Sequence, residues 1–363
     1  MDTTSTQHYI KQIHAILLIV FARLRLDPRA LCCFAILIMA AILGQTANLS
    51  KLATYAASSA KKTSIYRRFQ NFFRYVHISQ AMIASYVFHV IKISDSNKAR
   101  IAIDRTEWKF RTVWYNLFVA SVVFMNVSIP FMWVNLAKKG ASSNKERLDF
   151  LWCILAIIPP KLIEFITMDR EFASNKFFEF LAQKHVPFDL RMKINTLVLY
   201  KGKVYSADFF GKDLKIGEYY QVPEKVRIYG HAVWLSVLKT LTGELLILAT
   251  SHKPSKAFQW YADRWQIECC FKALKTHGFN IEDTHLKDPE RVETLMGVLV
   301  MAYVFAYKVG ILKAENEPIE VKQHGRFQYS IITYGLEALI RMILYPPTKN
   351  SVPDDFFRLL SCT

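Results

Sequence analysis

The chain has 363 residues, 52% of them hydrophobic, and 47 Lys+Arg against 30 Asp+Glu give a net charge of +17. So large an apolar share excludes a disordered chain and suffices for two or three domains, while the basic excess favours a polyanion, either nucleic acid or an anionic membrane surface. The six cysteines (Cys32, Cys33, Cys153, Cys269, Cys270, Cys362) form no CxxC pair, which argues against a zinc site and for a reducing, cytoplasmic setting.

Residues 1 to about 95 read as helical. Gln12 to Leu26 is a helix stopped by Asp27-Pro28, and Arg29 to Leu43 is a second stopped by Gly44. Asn48 caps a short helix, Lys51 to Ala57, and Thr63-Ser64 cap Ile65 to Tyr75. These two short helices resemble a helix-turn-helix, with Arg67 and Arg68 as DNA-contacting side chains. The same pattern equally fits a solvated basic face over an aromatic core. The apolar runs Leu31–Leu43 and Leu295–Tyr307 are 13 residues each. A membrane span needs about 18–20 residues, so both are expected in the core and no membrane partner is expected. The N-terminus carries no secretory pattern.

From Ala99 the apolar period changes. Arg100 to Asp104 reads as a strand ending in Asp. Val113–Met125 and Val127–Leu136 read as a hairpin about Asn126, and Asn144 caps a helix that Pro159-Pro160 stop. Leu162 to Asp169 is a second strand ending in Asp. A helix, Lys176–Lys184, and a strand, Phe188–Lys193, complete an α/β layered core. Six short strand candidates between Leu197 and Thr250 make a mostly β insertion. After a long apolar helix, Glu290–Tyr307, Lys313–Gln328 reads as a charged loop and Ser330–Leu344 as a last helix.

The stretch Tyr261 to Lys275 has no Pro or Gly and reads as one helix. At about 100° per residue, Tyr261, Arg264, Glu268 and Lys275 share an arc of roughly 60°. Ile267, Cys270, Phe271 and Leu274 form the neighbouring core face. One acid among two cations and a phenol suits a carboxylate that holds a metal while its neighbours hold phosphates. A solvated face with an i,i+4 pair from Glu268 to Lys272 is the bland alternative. If the strands ending in Asp104 and Asp169 are neighbours, their carboxylates meet, as functional groups do at the carboxyl ends of strands in open α/β sheets. Taken singly, each Asp also fits a cap or turn. Three carboxylates in one dry site repel, and a pair of Mg²⁺ or Mn²⁺ ions relieves this. Such a pair can drive phosphodiester displacement.

Three motifs carry a resemblance: Asp104-Arg105-Thr106-Glu107-Trp108-Lys109-Phe110, Met168-Asp169-Arg170-Glu171-Phe172, and Tyr261-x₂-Arg264-x₃-Glu268-x₆-Lys275. Together they resemble the insertion-sequence four family of bacterial DDE transposases, marked by a Tyr-Arg-Glu-Lys signature. The resemblance runs from about Ala99 to Tyr345. It implies an RNase H-like catalytic core (96–194 and 252–312) interrupted by the β-rich insertion (195–251). The helical region 1–95 is then a DNA-binding region, and 313–363 a helical tail. It implies Asp104, Asp169 and Glu268 as a catalytic triad holding two Mg²⁺ or Mn²⁺ ions. Tyr261, Arg264 and Lys275 match phosphate-holding positions, while Lys272 is left between phosphate contact and charge balance. It also implies an insertion aromatic that holds an extruded base. Trp234, Tyr219, Tyr220 and Phe210 are candidates, and ordinary core packing is the favoured reading for any one of them. The partners implied are the transposon's terminal inverted repeats and target DNA, engaged by a homodimer in a synaptic complex. End cleavage through a hairpin intermediate and strand transfer are the implied chemistry. A non-catalytic DNA-binding regulator derived from such an enzyme is the alternative.

Overall fold

A computed structural model describes residues 26–345, apart from 57, 137, 254, 277 and 324. The helix expected over Gln12–Leu26, apart from Leu26 itself, and the tail opened by Pro346-Pro347 lie outside the described residues.

Four helices come first: α1 (Pro28–Gly44), α2 (Leu49–Tyr55), α3 (Lys62–Tyr75) and α4 (Gln80–Val90). Their starts follow local chemistry. The Asp27 carboxylate accepts from the amides of Arg29 and Ala30, and the Asn48 side chain accepts from those of Ser50 and Lys51. The expected Thr63-Ser64 cap is not used. Helix α3 starts at Lys62 without a side-chain cap and buries Ile65, Phe69, Phe72 and Phe73, leaving Arg67 and Arg68 exposed.

The sheet then begins with β1 (Ala99–Phe110), β2 (Val113–Phe124) and β3 (Val127–Asn135). Met125 and Asn126 both adopt positive φ, at 48° and 59°, which gives the β2–β3 hairpin a turn twisted to match its strands. After α5 (Asn144–Ile157) come β4 (Ile163–Met168), α6 (Asn175–Gln183) and β5 (Phe188–Arg191). Ser143 opens α5 with a reciprocal capping box to Glu146. The strand order is β3-β2-β1-β4-β5, with β1, β4 and β5 parallel and β2 and β3 antiparallel. This is the RNase H-like arrangement. Strand β1 does not end at Asp104. It runs six residues further, paired to β2, while its parallel pairing with β4 stops at Ile103↔Met168.

The insertion supplies β6 (Leu197–Tyr200), β7 (Lys203–Ser206), β8 (Tyr219–Gln221), β9 (Val226–Ile228), β10 (His231–Lys239) and β11 (Leu245–Thr250). Strand β11 pairs antiparallel with β5, so the inserted strands extend the core sheet at its edge. At the other edge, the Gln80 side chain donates to the Trp133 carbonyl and accepts from the Trp133 amide, both at 2.9 Å. It thereby satisfies β3 where another strand would otherwise pair.

The stretch from Ala257 to Lys275 is two helices, α7 (Ala257–Asp263) and α8 (Trp265–Lys275). They meet at Arg264, where the Arg264 and Ile267 amides bond three residues back, to the carbonyls of Tyr261 and Arg264. That tightened turn replaces the single helix expected from the sequence. The apolar arc is as read: Ile267, Cys270, Phe271 and Leu274 are buried. Helix α9 (Pro289–Asn316) continues nine residues past Tyr307 and takes up the start of the expected loop, before α10 (Ile331–Leu344). Helix α9 is long and apolar enough to cross a membrane, yet 83% of its apolar window is buried inside the protein, where it packs on α1, α10 and β3.

Helices α9 and α10 approach closely because of two glycines. A Cβ on Gly335 would overlap the Ala306 carbonyl oxygen, and one on Gly310 would overlap that of Ile331. Gly335→Ala should therefore destabilise the fold by about 1–3 kcal/mol through overpacking, read as a lower urea midpoint at unchanged m-value.

Candidate active site

The parallel register brings the first two carboxylates together. Because Ile103 lies beside Met168, the next residues, Asp104 within β1 and Asp169 just past β4, follow where the parallel pairing stops. Ile103 and Met168 are buried, so period-two alternation turns Asp104 to the opposite face from Ile103. Helix α8 lies against β1, β2 and β3 and supplies Glu268.

A guanidinium joins the cluster. Arg264 donates from Nη1 to Asp104 Oδ2 at 2.8 Å and from Nη2 to Glu268 Oε1 at 2.7 Å. Its side chain is 11% exposed, against 17% for Asp104 and 31% for Glu268. The Glu268–Lys272 pair therefore does not form. Glu268 turns back one turn to Arg264, and the Lys272 ammonium sits over the Trp265 ring at the surface. Asp169 accepts from the Tyr261 hydroxyl at 3.2 Å and from Arg191 Nη1 at 3.4 Å.

Burial and charge compete here. Burial pushes the Asp104 carboxyl up to about 6; Arg264 and the Arg105 amide pull it down, while Asp169 and Glu268 add to the rise. Burial likewise drives the Tyr261 phenol up to about 12, so Tyr261 stays a donor to Asp169. Burial opposes the Arg264 charge, but Tyr261, Asp104 and Glu268 outweigh it and hold its pKa above the usual value.

The residues just after each Asp brace the strand ends. Arg105 makes a two-pronged contact with Glu171, Nε to Oε1 and Nη2 to Oε2, both at 3.0 Å, and its Nη1 donates to the Gly140 carbonyl at 2.7 Å. Lys275 donates to the Glu107 carbonyl and pairs with Glu282, both at 3.0 Å, with its ammonium over the Trp108 ring. It thus sits one helix turn and more from the carboxylates, against the outer end of β1.

Other expected residues lie elsewhere. Arg67 and Arg68 are on α3, which packs chiefly on α1, α2 and α9. Trp234 is half-buried on β10, opposite Thr250. Tyr219, on β8, is 63% exposed and meets the Phe258 ring of α7 edge-on, which places an insertion aromatic against the helix carrying Tyr261. Phe210 belongs to a cluster with Tyr200, Tyr205 and Phe209 inside the insertion.

Two participants escape sequence reasoning. Arg191 reaches Asp169 because Met168 pairs with Leu190, a register that only the strand order reveals. Asp189 is fully buried on β5, in line with Thr167 of β4 and Thr250 of β11, and neither of its oxygens has a hydrogen-bond partner among the described residues.

Three partly buried carboxylates, two from neighbouring strands of an RNase H-like sheet and one from a later helix, make this a candidate site for polynucleotide chemistry. Residues 96–305 match the transposase DDE domain family, and this chain belongs to it. Among solved structures, the chain is similar to a piggyBac transposase synaptic complex with hairpin DNA, determined by cryo-EM. The TM-score is 0.47 and the identity 10%, over 97% of this chain and 82% of that one. No curated protein matches the chain.

Members of the family normally use divalent metal ions. The donor chemistry here fits: Asp104, Asp169 and Glu268 offer hard carboxylate oxygens within electrostatic reach of each other. As they stand, Arg264 supplies the compensating positive charge, and no three His, Cys, Asp or Glu side chains among the described residues close on a metal-sized gap.

Asp189 gives a pH test. Burial raises its pKa well above the ordinary carboxylate value, so the fold favours its protonated form. Below the unfolded value it adds no pH dependence; as pH rises above it, the unfolded chain sheds the proton and stability falls. Asp189→Asn should remove this loss, raising the melting temperature relative to wild type at pH 8 but not at pH 3. Equal shifts at both values would show that the fold does not raise the Asp189 carboxyl above its unfolded value.

Proposed function

We propose that this chain is the transposase of a bacterial insertion sequence, of the insertion-sequence four type. On this reading it cleaves DNA at the element's ends, through a hairpin intermediate, and joins them to a target as a homodimer holding two ends. The observation that carries the reading is the meeting of Asp104 and Glu268 at Arg264, with Asp169 on the neighbouring strand, inside the span that belongs to the DDE family.

Asp104, Asp169 and Glu268 would hold Mg²⁺ or Mn²⁺. When bound, a pair of such ions activates water or a 3′-hydroxyl and steadies the leaving oxygen. The remaining work falls to side chains. Arg264, with a planar fork already in the cluster, can exchange a carboxylate for a DNA phosphate, and Tyr261 can follow from Asp169 to a neighbouring phosphate oxygen. Lys275 braces the outer end of β1 and offers a point charge at the edge of the cleft. On this reading Trp234 or Tyr219 of the insertion would hold an extruded base, Tyr219 being the more exposed. Arg67 and Arg68 serve end binding from α3, and Lys272 adds charge beside Trp265.

Asp104→Asn, Asp169→Asn and Glu268→Gln should each cut Mg²⁺-dependent cleavage of the element's own ends by at least roughly a hundredfold while leaving DNA binding intact. Cleavage retained in any one variant would remove that residue from the triad. Binding should weaken steeply with salt, with a log–log slope of about −0.9 per neutralised phosphate, and a flat profile would contradict a DNA-binding role for the basic surface.

A further inference from the structure

A second polar cleft lies away from the carboxylates, with a volume of 760 Å³, between the N-terminal helices and the segment entering α9. One wall is α3, through Tyr66, Gln70, Asn71 and Arg74, and the other is Lys287 and Arg291. Arg74, Lys287 and Arg291 make no ion pair among the described residues. The cleft's own acid, Asp288, has its carboxylate engaged in capping α9 through the Arg291 amide at 3.2 Å. Three of the cleft's four Lys and Arg residues, all but Lys51, thus have no carboxylate partner among the described residues, and its charge is complementary to a polyanion.

The α3 wall carries more than charge. Thr63, Arg67, Gln70 and Arg74 recur at helical spacing on an exposed stripe, with Asn71 beside it. Arg can bond two acceptors of guanine, and Asn or Gln can bond adenine in the same two-point way. Neither a membrane surface nor an acidic peptide calls for that set of side chains.

The floor of the cleft is tied to the catalytic end of the molecule. Lys51 pairs with Asp283 at 2.7 Å, and the Asn48 amide donates to the Asp283 carbonyl at 3.5 Å. The neighbouring Glu282 pairs with Lys275, which holds the Glu107 carbonyl of β1, three residues beyond Asp104. One short turn, Ile281–Asp283, therefore joins the cleft to the strand that carries the first carboxylate.

We propose that this cleft is a duplex-DNA site built jointly by α3 and the catalytic domain. Lys287 and Arg291 hold the sugar-phosphate backbone, and Gln70, Asn71 and Arg74 face the base edges. The proposal rests on the transposase reading and adds to it a recognition surface that includes catalytic-domain residues.

The test uses the full chain and two labelled duplexes of equal length, one from the DNA flanking the coding sequence and one scrambled. Lys287→Ala and Arg291→Ala should each weaken both duplexes by roughly three- to tenfold and reduce the salt slope by about one. Gln70→Ala and Asn71→Ala should weaken the flanking duplex by roughly tenfold and leave the scrambled one unchanged. Lys161→Ala, at the opposite end of β4 from Asp169, is the equal-charge control and should change neither. Thermal melts matching wild type establish that the exposed-site variants are folded. Wild-type affinity in the Lys287, Arg291, Gln70 and Asn71 variants, or an equal loss in Lys161→Ala, would overturn the cleft assignment while leaving the triad test standing. A wild-type chain that neither binds nor cuts either duplex would overturn both.

Discussion

The site depends on how three acids are kept together. Carboxylates in a partly dry cleft repel, and a pair of unit charges at 4 Å interacts by about 4 kcal/mol at an effective dielectric near 20. The fold meets that demand with Arg264, which bridges Asp104 and Glu268 from the junction of α7 and α8. The break in the helix belongs to the same arrangement. Arg264 sits at the tightened turn from which one guanidinium reaches both a strand and a helix, while Tyr261, a turn earlier, reaches Asp169.

Everything else sets the precision of that meeting. The parallel β1–β4 register places two Asp residues side by side, and Arg105 on Glu171 locks the chain that leaves each of them. Lys275 clamps the far end of β1. Behind the sheet, the apolar bulk of α9 anchors the helical layer, packed closely on α10 through Gly310 and Gly335. A rigid frame around a compensated charge cluster is what the proposed chemistry needs, because it lets a DNA phosphate exchange with a carboxylate at Arg264 without the acids drifting apart.

Much of this was legible in the residues. The α/β alternation, the two strand-associated Asp residues and the apolar face of Ile267, Cys270, Phe271 and Leu274 follow from periodicity. Spacing along one helix also put Arg264 and Glu268 on a common arc, and they do meet. What periodicity could not show were contacts set by register and by competition between partners. Glu268 had two cations at i±4, Arg264 and Lys272, and only the position of Asp104 decides for Arg264. Arg191 and Asp189 depend on the order β4-β5-β11, which no local pattern encodes. The end of β1 was misplaced for a related reason: its parallel partner stops at Ile103, but its antiparallel one does not.

The central claim is that Asp104, Asp169 and Glu268 form a cation site for which Arg264 is the resident counter-charge. Titration of the DNA-free protein with Mn²⁺, followed by the loss of the free-ion paramagnetic resonance signal, tests it directly. The account predicts that Arg264→Ala binds Mn²⁺ more tightly than wild type, and that adding Asp104→Asn to that variant abolishes the gain. Identical Mn²⁺ affinity in wild type, Arg264→Ala and the double variant would contradict it.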